Sequence, residues 1–249
     1  MYFLDTNIFV HASNKDAKWF DICHEIVFKD NWLTSMVVLR ELKEIKRRRW
    51  LIYCNIISAD YEKFEGKKVW EFYTGCIKSS LGNCKNDERH LLELYHCILQ
   101  KTGLTETDTL DKEIIERIKE TVFPLLLNIK VILGKIINLF DNVLFYAVHV
   151  VPEVWKTPSA KYLKNKKLYV KLKDAKDNKE DLKILIDAIM YGNNKNISLD
   201  FITGDAYLSG NAVKIKKIIK DMESHRLHAE INIIPIEELQ QTTKKNKQI

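Results

Sequence analysis

Acidic side chains stand at positions in this chain where a carboxylate is unusual. Asp5 interrupts the apolar run MYFLDTNIFV, and Asp205 follows the predicted strand FIT after one glycine. Glu41 lies on the apolar face of a predicted helix, four residues before Ile45. Burying a charged carboxylate is costly unless a cation or hydrogen-bond donors compensate for the lost water. These three acids are therefore candidates for a shared chemical role.

A fourth acid comes from the segment DLKILIDA. Asp181 opens it, and the apolar residues at i+3, i+4 and i+7 lie on the same helical face. Asp187 follows six residues later, at about 240° around a helix, near Glu180 and Lys183 on the polar side. This geometry favours Asp181 over Asp187 as the inward-facing acid. Each acid also has a purely structural alternative: Asp5 and Asp205 as caps after strands, and Asp181 as a favourable charge at a helix N-terminus. For Glu41 the alternative is an ordinary ion pair with Lys43 or Arg48.

The chemistry of this set is that of a hard cation site. The acids come from separate segments, and no His or Cys stands near them at ligand spacing. Carboxylate oxygens select Mg²⁺ or Mn²⁺, ions whose usual task in proteins is to handle phosphate oxygens. Without a metal, mutual repulsion is expected to raise one or more of the carboxyl pKa values.

The sequence predicts alternating strands and helices at both ends of the chain, and these elements must position the acids. Strands are predicted at YFL (extending to residues 8–10), DNWLTS (30–35), LYVKL, FIT and INIIPI, with helices between them. Thr34 or Ser35 is the predicted N-cap of the helix that carries Glu41. Alternation of this kind predicts a mostly parallel sheet with helices on both faces, which binds ligands at the carboxyl ends of its strands. Asp5 and Asp205 both fall at such ends.

The middle of the chain is predicted to be mainly α-helical. Residues 123–153 form its most apolar part, and Lys130, Lys135 and Asp141 interrupt the run too often for a membrane span. A buried helix is the better prediction. The predicted organisation is a discontinuous domain of residues 1–50 and 165–238, a helical insertion over 51–164, and a basic, disordered tail over 239–249.

Composition limits the setting of the protein. The net charge of +6 is mild, and the five cysteines show no CxxC spacing, so we expect reduced thiols. The N-terminus lacks the charged and apolar regions of a signal peptide, which favours a cytoplasmic location.

The segments LDTNIFV, TSMVVLREL, DLKILIDA and FITGDAYL, in that order, resemble the PIN-domain nucleases. The resemblance covers roughly residues 1–50 and 165–235. It implies a parallel sheet between helices and an Mg²⁺- or Mn²⁺-dependent ribonuclease with three or four acids. The stretch 51–164 is far longer than the corresponding stretch of the compact, toxin-like members, which argues against a toxin role.

The resemblance also assigns roles to individual residues. Asp5, Glu41, Asp181 and Asp205 match the catalytic, metal-binding acids of the family. Asp187 matches an additional acid that some members carry. Asn7 and Thr203 match polar positions that support the site or contact phosphate. The metal would activate a water that attacks phosphorus in line, leaving a 5′-phosphate and a 3′-hydroxyl.

The substrate path is expected to be basic. Lys46, Arg47 and Arg48 follow Glu41, KYLKNKK (161–167) precedes the third acid, and KIKK (214–217) follows the fourth. Such segments predict a nucleic acid, RNA or DNA, as the partner. The resemblance to the PIN-domain ribonucleases favours single-stranded RNA. The helical insertion is a candidate surface for a protein partner or for self-association.

Three alternatives compete with this interpretation. A HAD-type phosphatase needs a second Asp two residues after the first, where this chain has Asn7. A flap-nuclease relative would carry more acids and a DNA-binding helical motif. A PIN-like scaffold that binds RNA or a partner without cutting it would keep these acids for structural reasons only.

Overall fold

The computed structural model describes residues 1–15, 17–29, 32–77, 88–142, 153–155, 166–173, 179–222, 227 and 229–239. These residues divide by their contacts into two compact units. The first contains residues 1–43 and 135–249, and the second contains residues 44–134. The two units meet in the sequence at residues 43/44 and 134/135. The domain boundaries predicted from the sequence, at 50 and 165, are different and stay a prediction.

The first unit is built on a parallel sheet. Its strands are β1 (Tyr2–Leu4), β2 (Trp32–Ser35), β3 (Glu153–Trp155), β4 (Ser198–Thr203) and β5 (Glu230–Pro235). Their order is β3-β2-β1-β4-β5, and every neighbouring pair is parallel. This confirms the predicted α/β class with a parallel sheet.

Helices connect these strands. In the first unit they are α1 (Thr6–Ala12), α2 (Phe20–Lys29), the start of α3 (Met36–Ile57), most of α7 (Gly134–Asn142), α8 (Lys166–Lys173), α9 (Lys179–Lys195), α10 (Ala206–Gly210) and α11 (Ala212–Lys220). The chain runs outward from β1 to β3 and returns to β4 on the other side of β1. The topological switch point therefore lies between β1 and β4, where ligands bind in such sheets.

Aromatic and aliphatic side chains fill the core of this unit. Phe3 stacks on Phe201 across β1 and β4, with ring centroids 5.8 Å apart. Phe9, Trp32 and Phe140 form a second cluster, with centroids 5.0–5.4 Å apart. Thr34 is fully buried, and its hydroxyl donates to the carbonyl of Leu4 at 2.7 Å. These contacts fix the carboxyl ends of β1 and β2 beside each other.

The second unit is helical in the residues that the structure describes. It holds the rest of α3, a 3₁₀ turn (Tyr61–Lys63), α4 (Val69–Phe72), a π turn (Tyr73–Ile77), α5 (Glu88–Thr102), α6 (Lys112–Asn128) and a second π turn (Ile129–Leu133). Asp111 caps α6, accepting a hydrogen bond from the backbone N–H of Ile114 at 2.7 Å.

Several local predictions were wrong. LYVKL lies in helix α8, and residues 8–10 belong to α1 rather than to the first strand. Residues 153–155, which belong to the stretch predicted to be mainly helical, form strand β3, while 143–152 lie outside the described residues. The predicted tail lies outside them too, apart from residue 239. Short apolar runs do not distinguish helix from strand by pattern alone, which explains these errors.

One helical run among the described residues, Lys112–Phe140, is long and apolar enough to cross a bilayer by length and composition. The same test is passed by core helices of soluble proteins, and 33% of its most apolar window is buried. The expectation that this chain has no membrane span stays a prediction.

Candidate active site

Asp5 lies at the switch point of the sheet. It follows β1, caps helix α1, and is only 3% exposed. Its carboxylate accepts hydrogen bonds from the backbone N–H of Thr6 at 2.7 Å, from Asn7 Nδ2 at 3.0 Å and from Thr203 Oγ1 at 2.7 Å. These donors compensate part of the cost of burying the group.

Thr203 and Asn7 join the ends of β1 and β4. Thr203 is fully buried, and its hydroxyl accepts from the backbone N–H of Asp205 at 3.0 Å while it donates to Asp5. Asn7 Oδ1 accepts from the backbone N–H of Gly204 at 2.8 Å. The two polar residues named from the sequence thus hold the Asp205 loop against Asp5.

Asp205 caps helix α10 on this loop. Its Oδ1 accepts from the backbone N–H groups of Tyr207 at 2.8 Å and Leu208 at 2.9 Å. The structural role considered for Asp205, as a cap, is therefore present. The same residue also acts on Asp5, because its negative charge contributes to raising the pKa of the Asp5 carboxyl.

Glu41 approaches the site from helix α3. Its carboxylate accepts a hydrogen bond from the hydroxyl of Thr6, the residue next to Asp5. Burial raises the pKa of Glu41 to about 7, against the lowering effect of the Thr6 hydrogen bond. The charges of Asp5 and Asp181 are smaller contributions to the same rise. The acid is poised to change its protonation state near neutral pH.

Asp181 lies in the first turn of helix α9 and is partly exposed. Its charge raises the pKa values of both Asp5 and Glu41. The pKa of Asp5 reaches about 6, chiefly through burial, with the Thr203 hydrogen bond acting in the opposite direction. Electrostatic effects thus link Asp5 with the three other acids chosen from the sequence.

Asp187 is buried, whereas the helical pattern placed it on the polar side of its helix. It is 1% exposed instead of lying on a polar face, because α9 is buried around most of its circumference between Leu182 and Ile189. Its carboxyl group is hydrogen-bonded by the Ser35 hydroxyl, which lowers the pKa of Asp187. The Oδ1 atom of Asp187 has no hydrogen-bond partner. Burial raises the pKa of Asp187 to about 7, and Lys183 opposes that rise.

Two residues of this region were missed or underused by the sequence interpretation. Thr6 was passed over although it stands inside LDTN, because its bond to Glu41 joins residues 35 positions apart. Ser35 was predicted only as a possible cap. Its hydroxyl accepts from the backbone N–H groups of Val37 at 3.1 Å and Val38 at 3.4 Å, which confirms that prediction.

The side chains around Asp5 offer the carboxylate and hydroxyl oxygens that a hard cation prefers. The negative charges of the acids repel one another, and a bound cation would relieve that repulsion. However, no three His, Cys, Asp or Glu side chains in the described part of the chain are grouped closely enough to hold a metal ion. A cation would therefore have to draw the partly exposed acids, Asp181 and Asp205, toward Asp5.

The predicted basic residues are placed as follows. Lys46, Arg47 and Arg48 lie on α3 within the second unit, where Arg47 pairs with Glu44 at 2.8 Å. Residues 161–165 lie outside the described residues. Lys214–Lys217 lie on α11, where Lys216 Nζ donates to Asn232 Oδ1 at 2.9 Å.

A comparison of the chain with family models, with characterised proteins and with solved structures found no match. The function is therefore inferred from the site itself.

Proposed function

We propose that the protein is an Mg²⁺- or Mn²⁺-dependent nuclease of the PIN-like kind, which hydrolyses phosphodiester bonds of RNA. The observation that carries this proposal is the buried Asp5 at the switch point, coupled to acids from three other segments of the chain. Burial alone would favour an apolar residue at this position, so the cost of burying a carboxylate there calls for a compensating function.

The surroundings of each side chain suggest its role in the proposed reaction. Asp5, Asp181 and Asp205 would hold the cation, and Thr203 and Asn7 keep Asp5 oriented through the contacts described above. When bound, the metal supplies a Lewis acid for the phosphate oxygens and lowers the pKa of a water. Glu41, with a pKa of about 7, is suited to take a proton from the attacking water at neutral pH.

The substrate is proposed to be single-stranded RNA, in a cytoplasmic setting. The lysines of α11 follow Asp205 in the chain, and the basic run on α3 follows Glu41. Contacts of this type bind the phosphate backbone without reading sequence, and the affinity they give falls with salt.

A second candidate is a catalytically inactive, PIN-like protein that binds RNA or a partner. It is favoured by one observation, the lack of a preassembled group of three potential ligands among the described residues. On this alternative, Asp5 and Asp205 remain only as helix caps.

Cleavage of labelled single-stranded RNA and DNA separates the two candidates. The wild type is assayed with Mn²⁺, with Mg²⁺ and with EDTA, beside Asp5→Asn and Asp205→Asn. We expect metal-dependent cutting of RNA that each substitution lowers by about 100-fold or more. Asp221→Asn, at an exposed acid after α11, is the matched control and should cut like the wild type. A wild type that binds RNA without cutting it under any condition would favour the inactive protein instead.

A further inference from the structure

Tyr207 is a large aromatic residue that lies exposed beside the candidate active site. It stands in the first turn of helix α10, two residues after Asp205, and is 52% exposed. Its backbone N–H donates to Asp205 Oδ1 at 2.8 Å, so the main chain of Tyr207 contacts a carboxylate that is proposed to bind the cation. Leu208, the next residue, is fully buried and anchors this turn to the core.

The position of Tyr207 on α10 directs its side chain toward the site. Only Gly204 and Asp205 separate α10 from the carboxyl end of β4, so the helix begins at the edge of the sheet where Asp5 lies. In an α-helix, each Cα–Cβ bond tilts toward the N-terminus of the helix. The ring of Tyr207 therefore leans back toward Asp205 and the carboxyl ends of the strands.

The surroundings of this ring suit a nucleobase. A phosphodiester bound at Asp5 and Asp205 carries a nucleoside on either side, and every base offers a π face on which an aromatic ring can stack. Only Asn211 separates α10 from α11, and Lys214 in the first turn of α11 is exposed. An aromatic ring with a nearby cation for the phosphate backbone is the combination that binds single-stranded nucleic acid. Exposure of a tyrosine in this turn has no structural explanation, since acidic residues are favoured there.

We propose, building on the proposed nuclease function, that Tyr207 stacks on a nucleobase of the substrate beside the phosphodiester that is cut. The stacked base must be unpaired and splayed out, because the bases of a duplex are already stacked on one another. Tyr207 thereby selects single strands over duplexes. It discriminates little among the four bases, since stacking needs only a π face.

The first test is the binding of labelled single-stranded RNA at low salt in EDTA, which does not require cleavage. Tyr207→Ala is expected to raise the Kd by about tenfold, and Tyr207→Phe, which keeps the ring, should bind like the wild type. Phe28→Ala removes another exposed ring, near the end of α2 that leads to the opposite edge of the sheet, and is the matched control. Duplex RNA of the same sequence, bound through its phosphates, should bind equally to all of these proteins.

A sharper test removes the bases instead of the ring. An oligonucleotide of the same length, built from stable abasic nucleotides, keeps the phosphates and offers nothing to stack on. The wild type should bind it about tenfold more weakly than RNA. Tyr207→Ala should bind the abasic strand as the wild type does, because ring and base act through one contact and their losses do not add.

Two results would overturn the stacking contact. One is a wild type without affinity for single-stranded RNA, or a Tyr207→Ala variant that binds it as tightly as the wild type does. The other is an equal loss on RNA and on the abasic strand when Tyr207 is replaced, which would show an effect without a base. A chain that cuts RNA and gives either result keeps the nuclease proposal and loses the stacking contact. A chain that shows the expected Tyr207 effects and never cuts RNA keeps the contact and loses the nuclease proposal.

Discussion

At the scale of single residues, the surroundings of Asp5 act on its pKa in opposite directions, and the net result is a weaker acid than an ordinary aspartate. Three donors bond its carboxylate, yet burial and the charges of Asp181 and Asp205 raise its pKa to about 6. A purely structural cap has no need of nearby like charges, which only weaken it. This balance suits the proposed role of Asp5 as a ligand of a cation.

This balance predicts how stability depends on pH in the absence of metal. Because burial raises the folded-state pKa of Asp5 above its unfolded value, the folded protein binds the extra proton. The stabilisation is complete below about pH 4 and is lost as the pH rises through about 6. For Asp5 alone the loss is on the order of 3 kcal/mol. Glu41 and Asp187, with pKa values of about 7, extend the loss toward neutral pH.

Urea unfolding with EDTA between pH 4 and pH 7 measures this effect. Asp5→Asn should flatten the fall in the free energy of unfolding, and Asp221→Asn should leave it unchanged. If the wild type and Asp5→Asn show the same pH dependence, Asp5 does not titrate as described.

At the scale of helices and strands, the site is made of strand ends that become helix caps. Asp5 follows β1 and caps α1, Asp205 follows β4 and caps α10, and Ser35 ends β2 and caps α3. This repeated device was visible in the sequence, because each polar residue interrupts an apolar run. What the sequence could not show was the contact between elements. The Thr6–Glu41 bond and the burial of Asp187 depend on packing between distant segments.

Ser35 provides a test at this scale. Ser35→Ala removes the cap of α3 and the hydroxyl that bonds Asp187, so we expect a loss of about 1–2 kcal/mol in the free energy of unfolding. The pKa of Asp187 should rise further, since that hydrogen bond lowers it.

Ser58→Ala, at an exposed serine after α3, is the matched control and should change stability by less than about 0.5 kcal/mol. Equal losses in the two variants would show that Ser35 adds nothing beyond an ordinary surface serine.

At the scale of the whole molecule, the candidate site joins the first and last thirds of the chain. Asp5 and Glu41 come before the second unit in sequence, and Asp181 and Asp205 come after it. The parallel sheet was predictable from alternating strands and helices, and with it the edge at which Asp5 and Asp205 meet. Strand β3 was not predictable, since its three residues carry no recognisable pattern. The exposure of Phe123, Leu127 and Val131 was not predictable either, because the apolar sequence over residues 123–153 predicted a buried helix.

The central claim is that these distant acids form one cation site. Calorimetric titration of Mn²⁺ into the metal-free protein tests it most directly, in two buffers of different ionisation enthalpy at a pH near 6. We predict binding to the wild type with release of protons, because the pKa of Asp5 is about 6 and a cation binds its ionised form. Asp5→Asn and Asp205→Asn should lose most of that binding, and Asp221→Asn should keep it. A wild type that takes up no Mn²⁺, or an Asp5→Asn variant that binds it equally well, would contradict the account.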